Sequence, residues 1–173
     1  MPKLRPQCDQ VIFGVGAEIK FCELRGDLIV RRATADENMN EHWDYLDAEF
    51  GRVDVKAPKR LHRGGPIDYT MWWELRTVNR PTPQAGWGIP NGVDRLIALS
   101  SPKGFHLIDP TDIICDLRAR CRQYFRGEFG LYGRPNRGDL MTILPLWYVE
   151  EHQKYFLGVN DDLEPVERNQ AAA

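Results

Sequence analysis

The sequence lacks the residue patterns of a zinc protein, a secreted protein or a membrane protein. Its four cysteines form no CxxC pair and no Cys/His group with zinc spacing, so we interpret them as free thiols. No N-terminal segment resembles a signal peptide, and no apolar run approaches the roughly 20 residues of a membrane span. These absences predict a soluble, cytoplasmic protein with no membrane partner.

The sequence also lacks an excess of positive charge, internal repeats and a glycine-rich phosphate loop. The formal net charge is −2, so composition alone gives no sign of nucleic-acid binding. Gly14, Gly16 and the stretch 86–92 do not occur in the element order that a Rossmann or P-loop site needs. With 42% hydrophobic and 28% charged residues, the chain suits one globular domain. We assign that domain to residues 1–160 and interpret the polar residues 161–173 as a flexible tail.

The charges that are present are unevenly distributed. Between positions 36 and 54 the only basic residue is Arg52, and a basic group follows at once, formed by Lys56, Lys59, Arg60 and Arg63. Acidic and basic groups side by side suit a site that holds cations and a polyanion together, although an ordinary solvated surface has the same alternation. The acidic residues are Asp36, Glu37, Glu41, Asp44, Asp47, Glu49 and Asp54.

Hydrophobic spacing predicts an α/β fold. We expect a helix over 16–25, a hairpin over 42–57 that turns near Gly51, and strands over 69–78, 93–99 and 105–108. Asp109 and Pro110 are typical of a helix start, and a last strand over 141–144 precedes a short helix near residue 149. This order predicts a three-layer sandwich in which helices flank a central mixed β-sheet.

The segment 51–57, Gly-Arg-Val-Asp-Val-Lys-Ala, carries the main chemical signal. Side chains alternate across a strand, so Val53 and Val55 would face a core while Asp54 and Lys56 share the other face, about 7 Å apart. A carboxylate can hold a divalent cation, and a neighbouring lysine can position water or neutralise a phosphate. An exposed strand with alternating charges would carry the same residues, so this pair is a weak signal by itself.

Two further acids strengthen that signal. Asp44 lies on the facing strand of the hairpin, where cross-strand pairing can bring it close to Asp54. Two carboxylates so close repel each other unless a cation compensates, which favours a metal site. Glu74, in the strand 69–78, is a third candidate that could bind the metal or hold Lys56 in place.

Taken together, these motifs resemble the PD-(D/E)XK nuclease superfamily, in particular its small phage and viral members. The resemblance rests on His42-Trp43-Asp44, Val53-Asp54-Val55-Lys56, Lys59-Arg60 and Trp72-Trp73-Glu74 in this order. It extends through Gly86-Trp87-Gly88 and Asp94-Arg95, and more weakly to the segment 134–137. The family's proline before the first aspartate is replaced by Trp43.

The resemblance implies a restriction-endonuclease-like fold and Mg²⁺-dependent hydrolysis of DNA, with Mn²⁺ as a substitute. Asp44 and Asp54 become metal ligands, Lys56 the catalytic lysine, and Glu18 the best match to an acid that relatives carry on the first helix, with Glu23 or Glu37 as alternatives. A homodimer is expected by analogy, and the cytoplasm of an infected host is the location if the protein is viral. The expected DNA-binding residues are Lys59, Arg60, Arg63, Arg134 and Arg137.

Other interpretations stay open at this point. Trp72, Trp73 and Trp87 could stack on unpaired bases or pack in the core, and His42 could act near the phosphate or be structural. A nucleic-acid-binding module that does not cleave, or a phage assembly protein with an acidic docking face, would also carry such charges.

Overall fold

The fold is described from a computed structural model, which defines residues 9–58, 70–77, 84–123, 129–133, 139–158 and 163–165. Four α-helices and eleven strands occur in these ranges. The helices are α1 (Asp9–Arg25), α2 (Ala35–Glu41), α3 (Pro110–Gln123) and α4 (Leu146–His152). The strands are β1 (Ile29–Arg32), β2 (Tyr45–Asp47), β3 (Gly51–Lys56), β4 (Thr70–Thr77), β5 (Gln84–Ala85), β6 (Leu96–Ser100), β7 (Gly104–Ile108), β8 (Leu131–Tyr132), β9 (Leu140–Pro145), β10 (Gln153–Gly158) and β11 (Leu163–Pro165).

The strands form two sheets. The larger has the order β1-β2-β3-β6-β7-β10-β11 and is mixed, because β3 and β6 run parallel while its other neighbours are antiparallel. The apolar strand β6 is central in this sheet, as its composition predicts. The smaller sheet has the order β5-β4-β9-β8. The α/β class and the mixed sheet are therefore confirmed, but β4 lies in a second sheet that the sequence did not predict.

Each face of the larger sheet covers a separate core. Val53 and Val55 project towards α1, where they pack with Phe21. On the opposite face, Ile97 and Leu99 pack against the smaller sheet together with α3 and α4. The second core also contains Met71, Trp73, Trp87, Ile108, Ile113, Leu117, Phe129, Leu144, Tyr148 and Val149. The period-two alternation of β3 therefore separates its valines from its charged residues as the sequence predicts.

Most predicted elements are confirmed, with longer or shifted bounds. The hairpin turns at residues 48–50, immediately before Gly51, and α3 begins at Pro110, where the Thr111 N–H donates to Asp109 Oδ1 at 2.8 Å. Residues 113, 114 and 117 of α3 are buried, as their spacing predicts. In α1 and α3, Cys22 and Cys115 are free thiols. No helix within the described ranges is long and apolar enough to span a membrane.

One strand lies among residues 161–173, the segment predicted to be a flexible tail. Leu163–Pro165 form this strand, β11, which pairs antiparallel with β10 at the edge of the larger sheet. Their composition gave no strand signal, because the hydrogen bonds come from a neighbouring strand rather than from local pattern. Residues 166–173 lie outside the described ranges.

Gly104 permits the close approach of β7 and β10. Its φ is 153°, and a Cβ atom there would lie 2.0 Å from the carbonyl oxygen of Leu157.

We expect Gly104→Ala to lower the free energy of unfolding by about 3 kcal/mol, because both the backbone conformation and the crowding oppose a side chain. Gly51→Ala is the control. Gly51 has a φ of 69° with nothing within 4 Å of its Cβ position, so the expected loss is about 1 kcal/mol. Urea unfolding followed by tryptophan fluorescence measures both, and equal losses would contradict the crowding argument.

Candidate active site

Strand β3 places Asp54 and Lys56 on one face of the larger sheet. The parallel register sets Asp54 beside Ile97 and Lys56 beside Leu99, so these four side chains share the face that packs towards the smaller sheet. Asp54 is 1% exposed and its Oδ1 forms an ion pair with Lys56 Nζ. The Lys56 side chain is 27% exposed, which makes it the member of the pair that solvent reaches.

Asp44 is hydrogen-bonded to the backbone of β3 on both sides of Asp54. Its N–H donates to the carbonyl oxygen of Val53 at 2.8 Å, and its Oδ2 accepts the Val55 N–H at 2.7 Å. The pairing of β2 with β3 therefore continues to Asp44, the residue before β2, and its carboxylate lies beside position 54. Its Oδ1 accepts from Nδ2 of Asn38 on α2 at 2.5 Å. The hydrogen bonds fix Asp44 in place and also give it a structural role.

Arg95 is a fourth member of the site, to which the sequence assigned no role. Its side chain is 0% exposed, its Nη1 lies 3.7 Å from Asp54 Oδ2, and its Nη2 donates to the carbonyl oxygen of Trp87 at 2.5 Å. Arg95 precedes β6 in phase with Ile97, so it shares the face of Asp54. The sequence already shows that Arg95 is in phase with Ile97. Its proximity to Asp54 can be recognised only when β3 is known to pair in parallel with β6.

Burial and the neighbouring charges shift the pKa values of Asp54 and Lys56. Burial, together with the charge of Asp44, raises the pKa of Asp54 to about 7, although Lys56 and Arg95 oppose the shift. Burial would lower the pKa of Lys56, but the carboxylates of Asp54 and Asp44 outweigh it and raise that pKa above its ordinary value. With two acids and two cations, Asp44, Asp54, Lys56 and Arg95 are neutral overall when all are ionised.

Whether this group suits a metal can be judged from its oxygen atoms. Asp54 Oδ2 is buried and accepts no hydrogen bond within the described part of the chain, so it has an unused acceptor beside a second carboxylate. Two such carboxylates are ligands that Mg²⁺ and Mn²⁺ accept. No cluster of three or more His, Cys, Asp or Glu residues that could hold a metal occurs among the residues with defined positions. Asp44 and Asp54 would thus supply two carboxylates to a metal, whose remaining ligands would have to be water or substrate.

Glu18 and Glu74, the two other acids predicted for the site, lie on α1 and on β4. Glu18 forms an ion pair with Arg32 at 2.5 Å. Glu18 lies on α1, the helix that covers the face of the larger sheet with Val53 rather than the face with Asp54. Glu74 lies in β4 of the smaller sheet, and alternation sets it on the opposite face from the buried Trp73. The sequence argument assumed that β4 continued the sheet of the hairpin, and it does not.

The aromatic residues near the site belong mainly to the core. Trp73 and Trp87 are buried and contact each other edge to face, with ring centroids 5.1 Å apart. Lys56 Nζ lies 5.2 Å from the centroid of the Trp87 ring, so this indole also forms one wall of the charged group. His42 ends α2 with a φ of 58°. The burial and mutual contact of Trp73 and Trp87 support their interpretation as core residues.

The basic residues predicted to contact nucleic acid lie outside the described ranges. They are Lys59, Arg60, Arg63, Arg134 and Arg137.

No protein family, no characterised protein and no solved structure matches this chain.

Proposed function

We propose that the chain is a metal-dependent nuclease that hydrolyses phosphodiester bonds in DNA, as its resemblance to the PD-(D/E)XK superfamily implies. The observation that carries the proposal is the convergence of Asp44, from the residue before β2, with Asp54 and Lys56 of β3 in a mixed sheet. Burying two carboxylates beside each other is unfavourable, and a hydrolytic metal site is a reason for a protein to tolerate it.

The restriction-endonuclease-like fold is part of the same proposal. It is supported by a first helix packed on a mixed sheet, by a hairpin that carries both aspartates, and by the parallel pairing of β3 with β6. The second sheet and the absence of Glu18 from the site depart from the simplest form of the expectation.

Each residue of the site has a defined task in this proposal. Asp44 and Asp54 would hold Mg²⁺ or Mn²⁺, which when bound stabilises negative charge on the phosphate and lowers the pKa of a bound water. Lys56 remains protonated at neutral pH because the two carboxylates raise its pKa. It therefore donates hydrogen bonds to a phosphate oxygen or to the attacking water, rather than accepting a proton from either. Its partial exposure lets it meet a substrate that approaches from solvent.

Contact with the DNA backbone is assigned by sequence alone to Lys59, Arg60 and Arg63, together with Arg134 and Arg137. Phosphate contacts of this type give affinity without sequence specificity and weaken as salt rises. The homodimer and the phage or viral origin are also proposals by analogy.

The test is a cleavage assay on purified protein with linear, nicked, branched and single-stranded DNA, in Mg²⁺ or Mn²⁺ and in EDTA. Cleavage that requires the divalent cation supports the proposal. Retention of DNA in a binding assay with no cleavage in any metal would replace it with the second candidate, a module that binds nucleic acid without cutting it. One observation favours this second candidate. The Asp54 carboxylate already has two positive partners, Lys56 and Arg95, so its charge is compensated without a metal. Recovery of a stable protein partner, with neither binding nor cleavage, would instead indicate an assembly role.

The raised pKa of Asp54 predicts that metal binding weakens in acid. With a pKa of about 7, most Asp54 carboxyls are ionised at pH 8 and most are protonated at pH 6. A proton and the cation compete for the same carboxylate, so we expect the dissociation constant for Mn²⁺ to rise about tenfold from pH 8 to pH 6. Isothermal titration calorimetry at the two pH values measures this. A dissociation constant that does not change between them would argue against Asp54 as a ligand.

A further inference from the structure

Arg95 is an unusual buried cation because, among the described residues, most of its donor groups find no hydrogen-bond acceptor. Its Nε and Nη1 atoms are buried and form no hydrogen bond within the described part of the chain, and only Nη2 is satisfied, by the Trp87 carbonyl. Asp54 Oδ2, 3.7 Å from Nη1, is likewise buried and unsatisfied. A buried polar group without a hydrogen bond is unfavourable, so it needs a physical reason such as a bound ligand or a functional constraint.

The two unsatisfied groups face each other but do not form a hydrogen bond. The bond from Nη2 to the Trp87 carbonyl holds the guanidinium, and the separation of 3.7 Å suits charge attraction but exceeds a normal hydrogen bond. The other carboxylate oxygen of Asp54 already has Lys56. The oxygen that remains for a metal is therefore the one that Arg95 faces.

We propose that Arg95 is a built-in competitor of the divalent cation at Asp54, a residue that sets the metal affinity of the site. The inference rests on the proposed function. A cation bound at Oδ2 would lie within a few Å of the Arg95 guanidinium, where like charges in a poorly solvated site repel strongly. Without metal, the guanidinium supplies the positive charge that Asp54 needs. When metal binds, that favourable interaction is lost, so a nearby fixed cation weakens metal binding.

The direct test compares Mn²⁺ binding by the wild type and by Arg95→Met, measured by isothermal titration calorimetry at pH 8. Methionine fills much of the same space without charge, and exchanging buried ionic groups for apolar ones is often tolerated. We expect Arg95→Met to bind Mn²⁺ at least about tenfold more tightly than the wild type. Arg120→Met is the matched control, because Arg120 pairs with Asp116 on α3 and should leave the Mn²⁺ affinity unchanged.

The outcomes separate this inference from the proposed function. Equal Mn²⁺ affinity in the wild type and Arg95→Met overturns the role of Arg95 and leaves the nuclease proposal intact. Binding by Arg95→Met alone supports the competition and overturns metal dependence in the wild type. Binding by neither protein removes both.

A second measurement does not depend on Arg95→Met. In an Mg²⁺ titration followed by NMR, the Arg95 Nε–H resonance, identified by its absence in Arg95→Lys, should shift as Mg²⁺ binds, with the dissociation constant that calorimetry with Mg²⁺ gives. A resonance that stays fixed while Mg²⁺ binds would overturn the competition even if Arg95→Met does not fold.

Discussion

Asp54→Asn should lower the rate of metal-dependent DNA cleavage on the order of 10³-fold or more. The substitution keeps the shape of the side chain and removes the charge that the proposed mechanism uses to hold the cation. Removing one group that stabilises transition-state charge commonly lowers rates by 10²–10³-fold, and the loss of a metal ligand should exceed this. The measurement is single-turnover cleavage of the DNA form that the wild type cuts best.

Asparagine is a better probe than alanine at this position. If Asp44 were the only charge nearby, Asp54→Ala would relieve repulsion between two acids and leave the fold intact. The structure adds Lys56 and Arg95 as direct counter-charges, so removal of the whole side chain leaves two cations and a cavity beneath the smaller sheet. Asp54→Asn avoids the cavity and retains an oxygen that can accept from Lys56.

The control is the same substitution at a carboxylate away from the site. Asp116 accepts hydrogen bonds from Arg120 and from the Tyr148 hydroxyl, each at 2.7 Å, so Asp116→Asn perturbs a comparable ion pair on α3. It should cleave DNA at the wild-type rate. If Asp54→Asn keeps most of the wild-type rate, the mechanism centred on Asp54 is wrong. If Asp116→Asn loses as much activity as Asp54→Asn, the loss reports general damage to the fold.

Much of the fold follows from local pattern, and the exceptions have physical causes. The apolar spacing of Ile113, Ile114 and Leu117 predicts the buried face of α3, and Gly51 predicts the turn of the hairpin. Helix α2 was not predicted because none of its residues is buried, so it has no apolar periodicity. Its only signal is the capping box of Thr34 and Glu37, in which each side chain accepts the backbone N–H of the other.

The sheet partners were beyond the reach of local pattern. Strand β4 pairs with β9, and Trp73 lies opposite Thr142, about seventy positions further along the chain. Composition identifies both segments as strands, but it does not say which sheet they join. The same lack of information about strand partners limits how much of the candidate site the sequence predicts. Alternation and the hairpin were enough to bring Asp44, Asp54 and Lys56 together, whereas Glu74 and Arg95 depend on which strands are neighbours.

A second large effect is expected outside the site, at the buried pair of Arg25 and Asp47. Arg25 closes α1, and its Nε and Nη2 donate to the two carboxylate oxygens of Asp47 at 2.7 and 2.9 Å. Both side chains are nearly inaccessible, and Asp47 Oδ1 also accepts the N–H groups of Glu49 and Phe50 in the hairpin turn. This one carboxylate ties the first helix to the hairpin that carries Asp54.

The ionisation of Asp47 gives the pair a definite pH dependence. Burial alone would raise the pKa of Asp47, but the hydrogen bonds from Arg25 and from the N–H groups of Phe50 and Glu49 outweigh it and hold that pKa below its ordinary value. A carboxyl whose pKa is lower in the folded state stabilises the fold above the unfolded pKa, about 4, and loses this contribution as pH falls through the folded pKa. The stabilisation is therefore complete at neutral pH and fades in acid.

Asp47→Ala should lower the free energy of unfolding at pH 7 by about 4 kcal/mol. The substitution leaves the buried Arg25 guanidinium without its main counter-ion and two turn N–H groups without an acceptor, and broken buried pairs typically cost about 3–5 kcal/mol. Glu49→Ala is the matched control, because Glu49 contacts the same arginine from a side chain that is 49% exposed, so its loss should be below about 1 kcal/mol. The loss for Asp47→Asn, which keeps an acceptor for the turn, should fall between those of the other two variants.

Urea unfolding at pH 7 measures all three variants, and the difference in unfolding free energy between wild type and Asp47→Ala should shrink at pH 3. Equal losses for Asp47→Ala and Glu49→Ala would mean that burial does not set the strength of this pair.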